Sequence, residues 1–481
     1  MSIGRLMANE LRPDVCVIGA GAGGLSAAAA AAAFGARSVL VEKGPLGGER
    51  LKRNGSLALH ALTAAANRAL ALRNGARFGI KTTRFAVDSA AVNAHLGEVI
   101  GAVAPNFTRE RITGLGVHVI EGGARFADER TVKVDDLAIQ ARRFVIATGS
   151  SPVLPAIAGL LDTPHLTGET VFDLGEIPRH LIVVGAGTFG LELAQAFRRL
   201  GSEVTVLDAA APLAGDDPEC AAVVLDALAR EGVKLRTGVE IAKVGRILAK
   251  IQVVLATPVG VETIEGSHLL IATGRRPNFD DLELDVAGIR HTPRGIVVDS
   301  SLRTSNKRVY AIGDATGGLA SAHVADHHAG LVIRHALFRV PIRVNYHALP
   351  SVTYTDPELA QVGLLEQEAR LLSGVIRVLR WPYRDNDRAQ AEHATDGHIK
   401  VVTDRAGQIL GATIVGAHAG ETITPWALAI SQKLNIRAVA DLAVPGPTYA
   451  EVGKRAASSY FTRGLTAPRT RRIMEWLRRF G

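Results

Sequence analysis

The hydrophobic pattern of the chain is built from short, unbroken apolar runs that end in glycine-rich turns. In "DVCVIGAGAGGLSAAAA" the run Val15 to Ile18 predicts a strand, Gly19, Gly21 and Gly24 a turn, and the alanine-rich stretch Leu25 to Phe34 a helix. That helix is too short to span a bilayer. A second apolar strand, "SVLVE", ends at Glu42. The order then repeats. "LIVVGAGTFGLELA" sets Gly185, Gly187 and Gly190 between a strand and a helix, and "EVTVLD" ends at Asp208. Two later segments also echo one another: "RFVIATGSSP", with Thr148 and Gly149, and "HLLIATGRRP", with Thr273 and Gly274.

Each glycine in such a turn has a physical reason. The first makes the tight turn, the second lets backbone approach a pyrophosphate, and the third lets the helix pack close to the strand. The helix N-terminus then offers free N–H groups and a partial positive charge to phosphates. An acid at the end of the second strand is placed to accept hydrogen bonds from an adenosine ribose. Strand, turn, helix, strand and acid in this order, twice in one chain, predict an α/β protein with two Rossmann-like dinucleotide-binding domains.

At 481 residues the chain is too long for one core and suggests two to four domains. With 47% hydrophobic and 21% charged residues it reads as an ordinary soluble globular protein. The net charge of +8 is spread along the chain except near its end, so the clustered basic stripe of a nucleic-acid binder is missing. Part of the excess would serve the phosphates of bound nucleotides. The two cysteines are Cys16, inside an apolar run that suggests inert packing, and Cys220. Neither a structural disulfide between them nor a metal site is expected. So few cysteines fit a reducing cytoplasm, and the first eleven residues lack the apolar core of a signal peptide.

A third element, "RVYAIGDAT", is a strand ending in Gly313 and Asp314, where an acid beside a flavin can bind the ribityl chain. With it the sequence resembles the pyridine nucleotide–disulfide oxidoreductases, the family of dihydrolipoamide dehydrogenase and mercuric reductase. The resemblance covers nearly the whole chain. "YTDPELAQVG" (Tyr354 to Gly363) looks like the start of that family's interface domain, and "PGPTYAE" (Pro445 to Glu451) like its C-terminal active-site motif. The resemblance implies FAD in the first cradle, with Gly19, Gly21, Gly24, Glu42, Gly48, Thr148, Gly149, Asp314 and Ala322 as contacts. It implies a nicotinamide nucleotide in the second, with Gly185, Gly187, Gly190, Asp208 and Gly274. Asp208 favours a free ribose 2′-OH, hence NADH, and Ala209 to Pro212 supply no arginine for a 2′-phosphate. An arginine reaching in from elsewhere stays open.

The implied architecture is a discontinuous FAD domain, residues 12–155 and 278–345, with an NAD domain, 156–277, inserted in it. An α+β dimerisation domain, 346–467, and a basic tail, 468–481, follow. A homodimer is implied, because the family's C-terminal motif loop completes the other subunit's flavin site.

The chemistry of the family is where the sequence departs. Its pattern GGTCLNxGCxPSK, laid on the chain without gaps, matches Gly47 and Gly48 and then fails. Arg50 and Gly55 stand at the two cysteine positions, and Leu57 stands at the proline. Leu59 replaces the lysine that pairs with a glutamate near the flavin, a glutamate kept here as Glu192. At the C-terminal motif Gly446 stands at the histidine position, while Pro447, Thr448 and Glu451 remain. These losses agree with one another, since a histidine that moves protons to thiols has no task without them. Arginine forms neither thiolate nor mixed disulfide. Lipoamide, glutathione disulfide and thiol-bound mercuric ion are therefore excluded by the family's route.

What survives is hydride transfer from NADH to FAD and on to a small-molecule electron acceptor: a quinone, a dye or O2. Gly55 and Gly446 remove bulk that would otherwise screen the flavin. Glu192, Glu451 and Arg50 are the candidate catalytic residues, each with a plainer reading. Arg50 either steers an anionic acceptor or stabilises an anionic flavin form, or is an exposed helix-start residue. Glu192 is either neutral at pH 7, if buried without its lysine, or paired with another base such as His60. Glu451 is either catalytic or an interface residue. A non-catalytic, regulatory flavoprotein is the alternative for the whole chain.

Two clusters remain. His323, His327, His328 and His335 lie together, but no carboxylate pattern supports a metal there, and the resemblance instead sets Ala322 against FAD. In "APRTRRIMEWLRRFG", Ile473, Trp476, Leu477 and Phe480 recur at helical spacing opposite Arg469, Arg472 and Arg479. Peripheral membrane contact and packing on its own dimer are both open to this basic amphipathic tail.

Overall fold

The computed structural model describes residues 10–48, 55–81, 85–257, 260–465 and 468–480. The first strand–turn–helix passage is β1 (Val15–Ile18), α1 (Ala22–Ala33) and β2 (Ser38–Glu42), followed by α2 (Ser56–Asn74), β3 (Val117–Glu121) and β4 (Arg143–Ile146). The second is β5 (His180–Val184), α3 (Thr188–Leu200) and β6 (Glu203–Asp208), then α4 (Pro218–Arg230), β7 (Lys234–Thr237) and β8 (His268–Ile271). β9 (Val309–Ala311) and α5 (Ala322–Phe338) come next. The C-terminal part holds β10 (Ser351–Thr353), β11 (Glu358–Gly363), α6 (Glu366–Ser373), β12 (Ile376–Pro382), β13 (His398–Asp404) and β14 (Ile409–Gly416). It closes with α7 (Ala450–Leu465) and α8 (Pro468–Leu477).

The chain divides into two compact units. One holds the chain up to Gly185 with Arg199–Glu203 and Ile241–Val344; the other holds Ala186–Arg198, Val204–Glu240 and the chain from Asn345.

In the first unit five strands form an all-parallel sheet in the order β9-β4-β1-β2-β3. The chain runs outward from β1 through β2 to β3, then returns to β1's other side with β4. Ligands of open parallel sheets bind beyond the carboxyl ends of the strands at such a reversal. Both faces of the sheet are covered, and Cys16, Ile18, Val39, Val41, Phe144 and Ile146 are core residues. Small residues let α1 lie close to α5: a Cβ on Gly23 would stand 2.9 Å from the Ala325 carbonyl oxygen. β5 and β8 form a parallel pair in this unit, Leu181 beside His268 through Val184 beside Ile271.

In the second unit β6 pairs in parallel with β7. A five-stranded antiparallel sheet in the order β10-β11-β14-β13-β12 packs a core that includes Val362, Val401, Ile414, Trp426 and Val452 of α7. One charged residue interrupts this apolar pattern. Lys400 of β13 is buried, and its Nζ donates to Asp217 Oδ2 at 2.7 Å and to Glu366 Oε2 at 2.9 Å, with Glu219 Oε2 at 3.3 Å. Three carboxylates offset the cost of desolvating one ammonium. The amphipathic segment expected near the end of the chain forms helix α8. No described helix is long and apolar enough to cross a membrane.

Candidate functional site

The turn after β1 has the geometry its glycines predict. Gly19 takes φ +101°, and a Cβ there would stand 2.5 Å from the Ala147 carbonyl oxygen beyond β4. A Cβ on Gly24 would meet the Gly19 carbonyl oxygen at 1.8 Å, so helix and strand approach as closely as glycine allows. Gly21, the N-cap of α1, faces open space. That opening lies in front of the free N–H groups of α1, an arrangement that favours an anion. Gly48 takes φ +53°, and its Cβ position lies 3.0 Å from Gly21 Cα, while Gly47 N–H donates to the Ala20 carbonyl at 3.0 Å. Gly149, at φ +70°, also borders open space.

The second turn repeats the relations of the first two glycines. Gly185 takes φ +112° with its Cβ position 2.4 Å from the Ala272 carbonyl oxygen, and Gly187 and Gly274 border open space. Gly190 is buried in α3. The acids at the strand ends match as well. Glu42 accepts the Ala20 N–H at 2.5 Å and the Gly44 N–H at 2.7 Å; Asp208 accepts the Ala186 N–H at 2.6 Å and the Ala210 N–H at 2.8 Å. Each carboxylate is thus held in place by the turn it faces, with lone pairs left over for a ribose hydroxyl.

Asp314 is half-buried just beyond β9, and its Oδ2 accepts the Ser150 hydroxyl at 2.6 Å. Ser150 in turn accepts from Arg275 Nε at 2.8 Å. Antiparallel pairing of residues 150–152 with 275–277 brings the two echoing segments together to make this relay. Thr148 donates to the Asn278 carbonyl at 2.5 Å. Ala322 is the first residue of α5. Further along, the Gly313 N–H donates to His328 Nδ1 at 3.2 Å, and burial holds this imidazole down to about 4, hence neutral. Among the described residues no group of three or more His, Cys, Asp or Glu could hold a metal ion.

Of the candidate catalytic residues, Glu192 lies in α3, only 5% exposed. Its Oε1 accepts the backbone N–H of Tyr354 at 2.7 Å. Burial pushes this carboxyl up to about 7; the Tyr354 N–H pulls it down and the nearby Glu358 carboxylate pushes it further up. No cation pairs with it among the described residues. Glu451, near the start of α7, accepts the Thr448 N–H at 3.2 Å. A Cβ on Gly446 would stand 3.4 Å from both carboxylate oxygens, so the acid packs directly on the glycine. Gly55 is the N-cap of α2. Arg50 lies outside the described residues.

Both cysteines are buried and free. Burial pushes the Cys16 thiol up to about 12; burial, then Asp217 and Glu219, raises the Cys220 thiol as well.

Ser150, Arg275 and the Tyr354 N–H are the residues that sequence reading missed. The echo of "GSSP" and "GRRP" was the available signal for the first two. A backbone donor leaves no signal in residue identity.

Residues 13–329 match the family described as pyridine nucleotide-disulphide oxidoreductase, and residues 349–457 match its dimerisation domain. A mercuric reductase of Streptomyces lividans is 34% identical over 93% of this chain and 96% of its own. A dihydrolipoyl dehydrogenase of Geobacillus stearothermophilus is 33% identical over the same shares. Among solved structures, LpdA from Mycobacterium tuberculosis superposes with a TM-score of 0.84 at 26% identity, covering 94% of this chain and 99% of that one. The match to a dimerisation domain supports a homodimer. The chain belongs to the pyridine nucleotide–disulphide oxidoreductases, FAD-dependent enzymes that use NAD(P)H.

Proposed function

We propose that this protein is an FAD-dependent NADH oxidoreductase that passes electrons to a small non-thiol acceptor (a quinone, a dye or O2) without the disulfide relay of its relatives. One observation carries the reading: the only two thiols in the chain, Cys16 and Cys220, are both 0% exposed with raised pKa values, and Arg50 and Gly55 stand where the relay cysteines belong. A buried thiol that stays protonated is neither nucleophile nor electron carrier.

FAD, when bound, supplies the redox chemistry, taking a hydride from the nicotinamide and releasing electrons to the acceptor. The chain's part is to bind and orient. The opening at Gly21 would receive the FAD pyrophosphate, with Glu42 on the adenosine ribose and Asp314 on the ribityl chain, and Gly48, Thr148, Gly149 and Ala322 as further FAD contacts. In the second unit Gly187, at the turn into α3, would receive the nicotinamide nucleotide, and the Asp208 carboxylate selects NADH by repelling a 2′-phosphate. Glu192 holds a proton near neutral pH. The domain assignment that goes with this reading places FAD on residues 12–155 and 278–345, NADH on 156–277 and the dimer contact on 346–467. Arg50 and Glu451 are assigned no step.

The test is spectroscopic. Purified yellow protein mixed with NADH without oxygen is expected to bleach at the flavin maximum and to recolour on addition of menadione or air. NADPH is expected to bleach it more slowly. Absence of bleaching supports the non-catalytic alternative, and brisk lipoamide turnover overturns the non-thiol acceptor.

A further inference from the structure

Helix α8 presents an apolar face that the described residues leave exposed. Ile473, Trp476, Leu477 and Phe480 follow the i, i+3, i+4, i+7 spacing of one helical stripe, with Met474 at its edge, and all five are exposed. The backbone continues to turn past Leu477, with the Arg479 and Phe480 N–H groups donating to the Trp476 and Leu477 carbonyls. Trp476 is 56% exposed and Phe480 72%, and their rings meet edge-on at 4.8 Å to form one apolar knob. Aromatic residues make up only 5% of this sequence, and another of its tryptophans, Trp426, is buried in the core. Leaving Trp476 in water is costly unless something covers it.

Charge says what covers it. Arg472, Arg478 and Arg479 stand on the opposite, polar side with Glu475 as the one acid among residues 472–480, and among the described residues none of the three arginines forms an ion pair. A short helix with aromatic and aliphatic side chains on one face and arginines on the other suits the interface of an anionic bilayer. There the rings sink to the headgroup boundary and the guanidinium groups meet lipid phosphates. The segment also lies beyond residue 457, where the match to the dimerisation domain ends.

We infer that α8 docks the protein on anionic phospholipid surfaces, as a peripheral contact. The surface charge of such a membrane gives each arginine roughly five-fold in partitioning, so a few arginines and one aromatic face make a reversible anchor.

Flotation of the FAD-loaded full chain with vesicles tests this. The intact chain is expected to float with phosphatidylglycerol-containing vesicles, less in high salt, and to stay in solution with phosphatidylcholine alone. Arg472→Gln with Arg479→Gln is expected to lower the partitioning about thirty-fold. Trp476→Ser with Phe480→Ser is expected to abolish it, with flavin content and thermal midpoint unchanged. Equal binding to both vesicle types, or unchanged binding by the aromatic variant, overturns the inference. So does a chain ended after Pro468 that becomes monomeric, because the face then belongs to a second copy.

Discussion

The Glu192 carboxylate accepts the backbone N–H of Tyr354 at 2.7 Å, inside the protein and with no cation beside it among the described residues. One neutral donor does not offset the desolvation of a carboxylate, so burial dominates and the group titrates near about 7. A carboxyl raised in the folded state binds a proton more tightly there than in the unfolded chain. Its contribution to stability is therefore complete below the ordinary value of 4.5 and is lost as pH rises toward 7. The swing is on the order of 3 kcal/mol. Urea midpoints at pH 5 and pH 8 are expected to differ less in Glu192→Gln than in the native protein. Glu358, raised by its own burial, keeps part of the slope in the variant. An identical slope in the two proteins would remove Glu192 from the account.

The glycines of the first cradle separate binding from folding. A side chain at Gly24 collides with the Gly19 carbonyl, so Gly24→Ala is expected to cost more than about 4 kcal/mol or prevent folding. At Gly21 the same added carbon meets only open space. Gly21→Val is expected to fold with a loss of apo-protein stability of no more than about 1 kcal/mol from the poorer helix cap, while losing at least about ten-fold in FAD affinity, since it fills the space a pyrophosphate needs. Equal flavin content in Gly21→Val and the native protein counts against a phosphate site there.

Lys400 is expected to be the most sensitive charge in the second unit. Lys400→Met leaves the buried Asp217 without its hydrogen-bonded cation, while Arg380 still pairs with Glu219 and Glu366, a change worth about 3–5 kcal/mol. Adding Asp217→Asn is expected to restore part of the loss, because the amide oxygen still caps α4 at the Glu219 and Cys220 N–H groups. The same lysine, through its hydrogen bond, does most to hold the Glu366 carboxyl down to about 2. That depressed value stabilises the fold above pH 4.5 and is lost as pH falls toward 2, so acid unfolding should be shallower in Lys400→Met. Urea titrations across this range measure both effects, and a loss under about 1 kcal/mol contradicts the first.

The thiols give a chemical check. With both cysteines buried and protonated, iodoacetamide is expected to leave native protein unlabelled and its NADH oxidation intact, while unfolded protein takes two labels. Intact-mass measurement reads the difference. Rapid native labelling with loss of activity would restore a thiol route.

Much of this was legible in the linear chain. The two glycine turns, their strands and the acids at Glu42 and Asp208 are set by relations within about thirty residues. There, φ constraints and apolar runs leave a mark on residue identity. The loss of the paired cysteines was equally plain, since chemistry that needs sulfur cannot be supplied by Arg50 or Gly55. Tertiary structure alone decided what the buried charges meet. Tyr354 reaches Glu192 across 162 positions, Lys400 reaches Asp217 across 183, and Ser150 reaches Asp314 across 164. Such partners are chosen by how strands and helices pack, and a backbone N–H looks the same in every residue but proline. Sequence could say that Glu192 had lost its lysine; only the packed structure shows that, among the described residues, it accepts the Tyr354 peptide N–H instead.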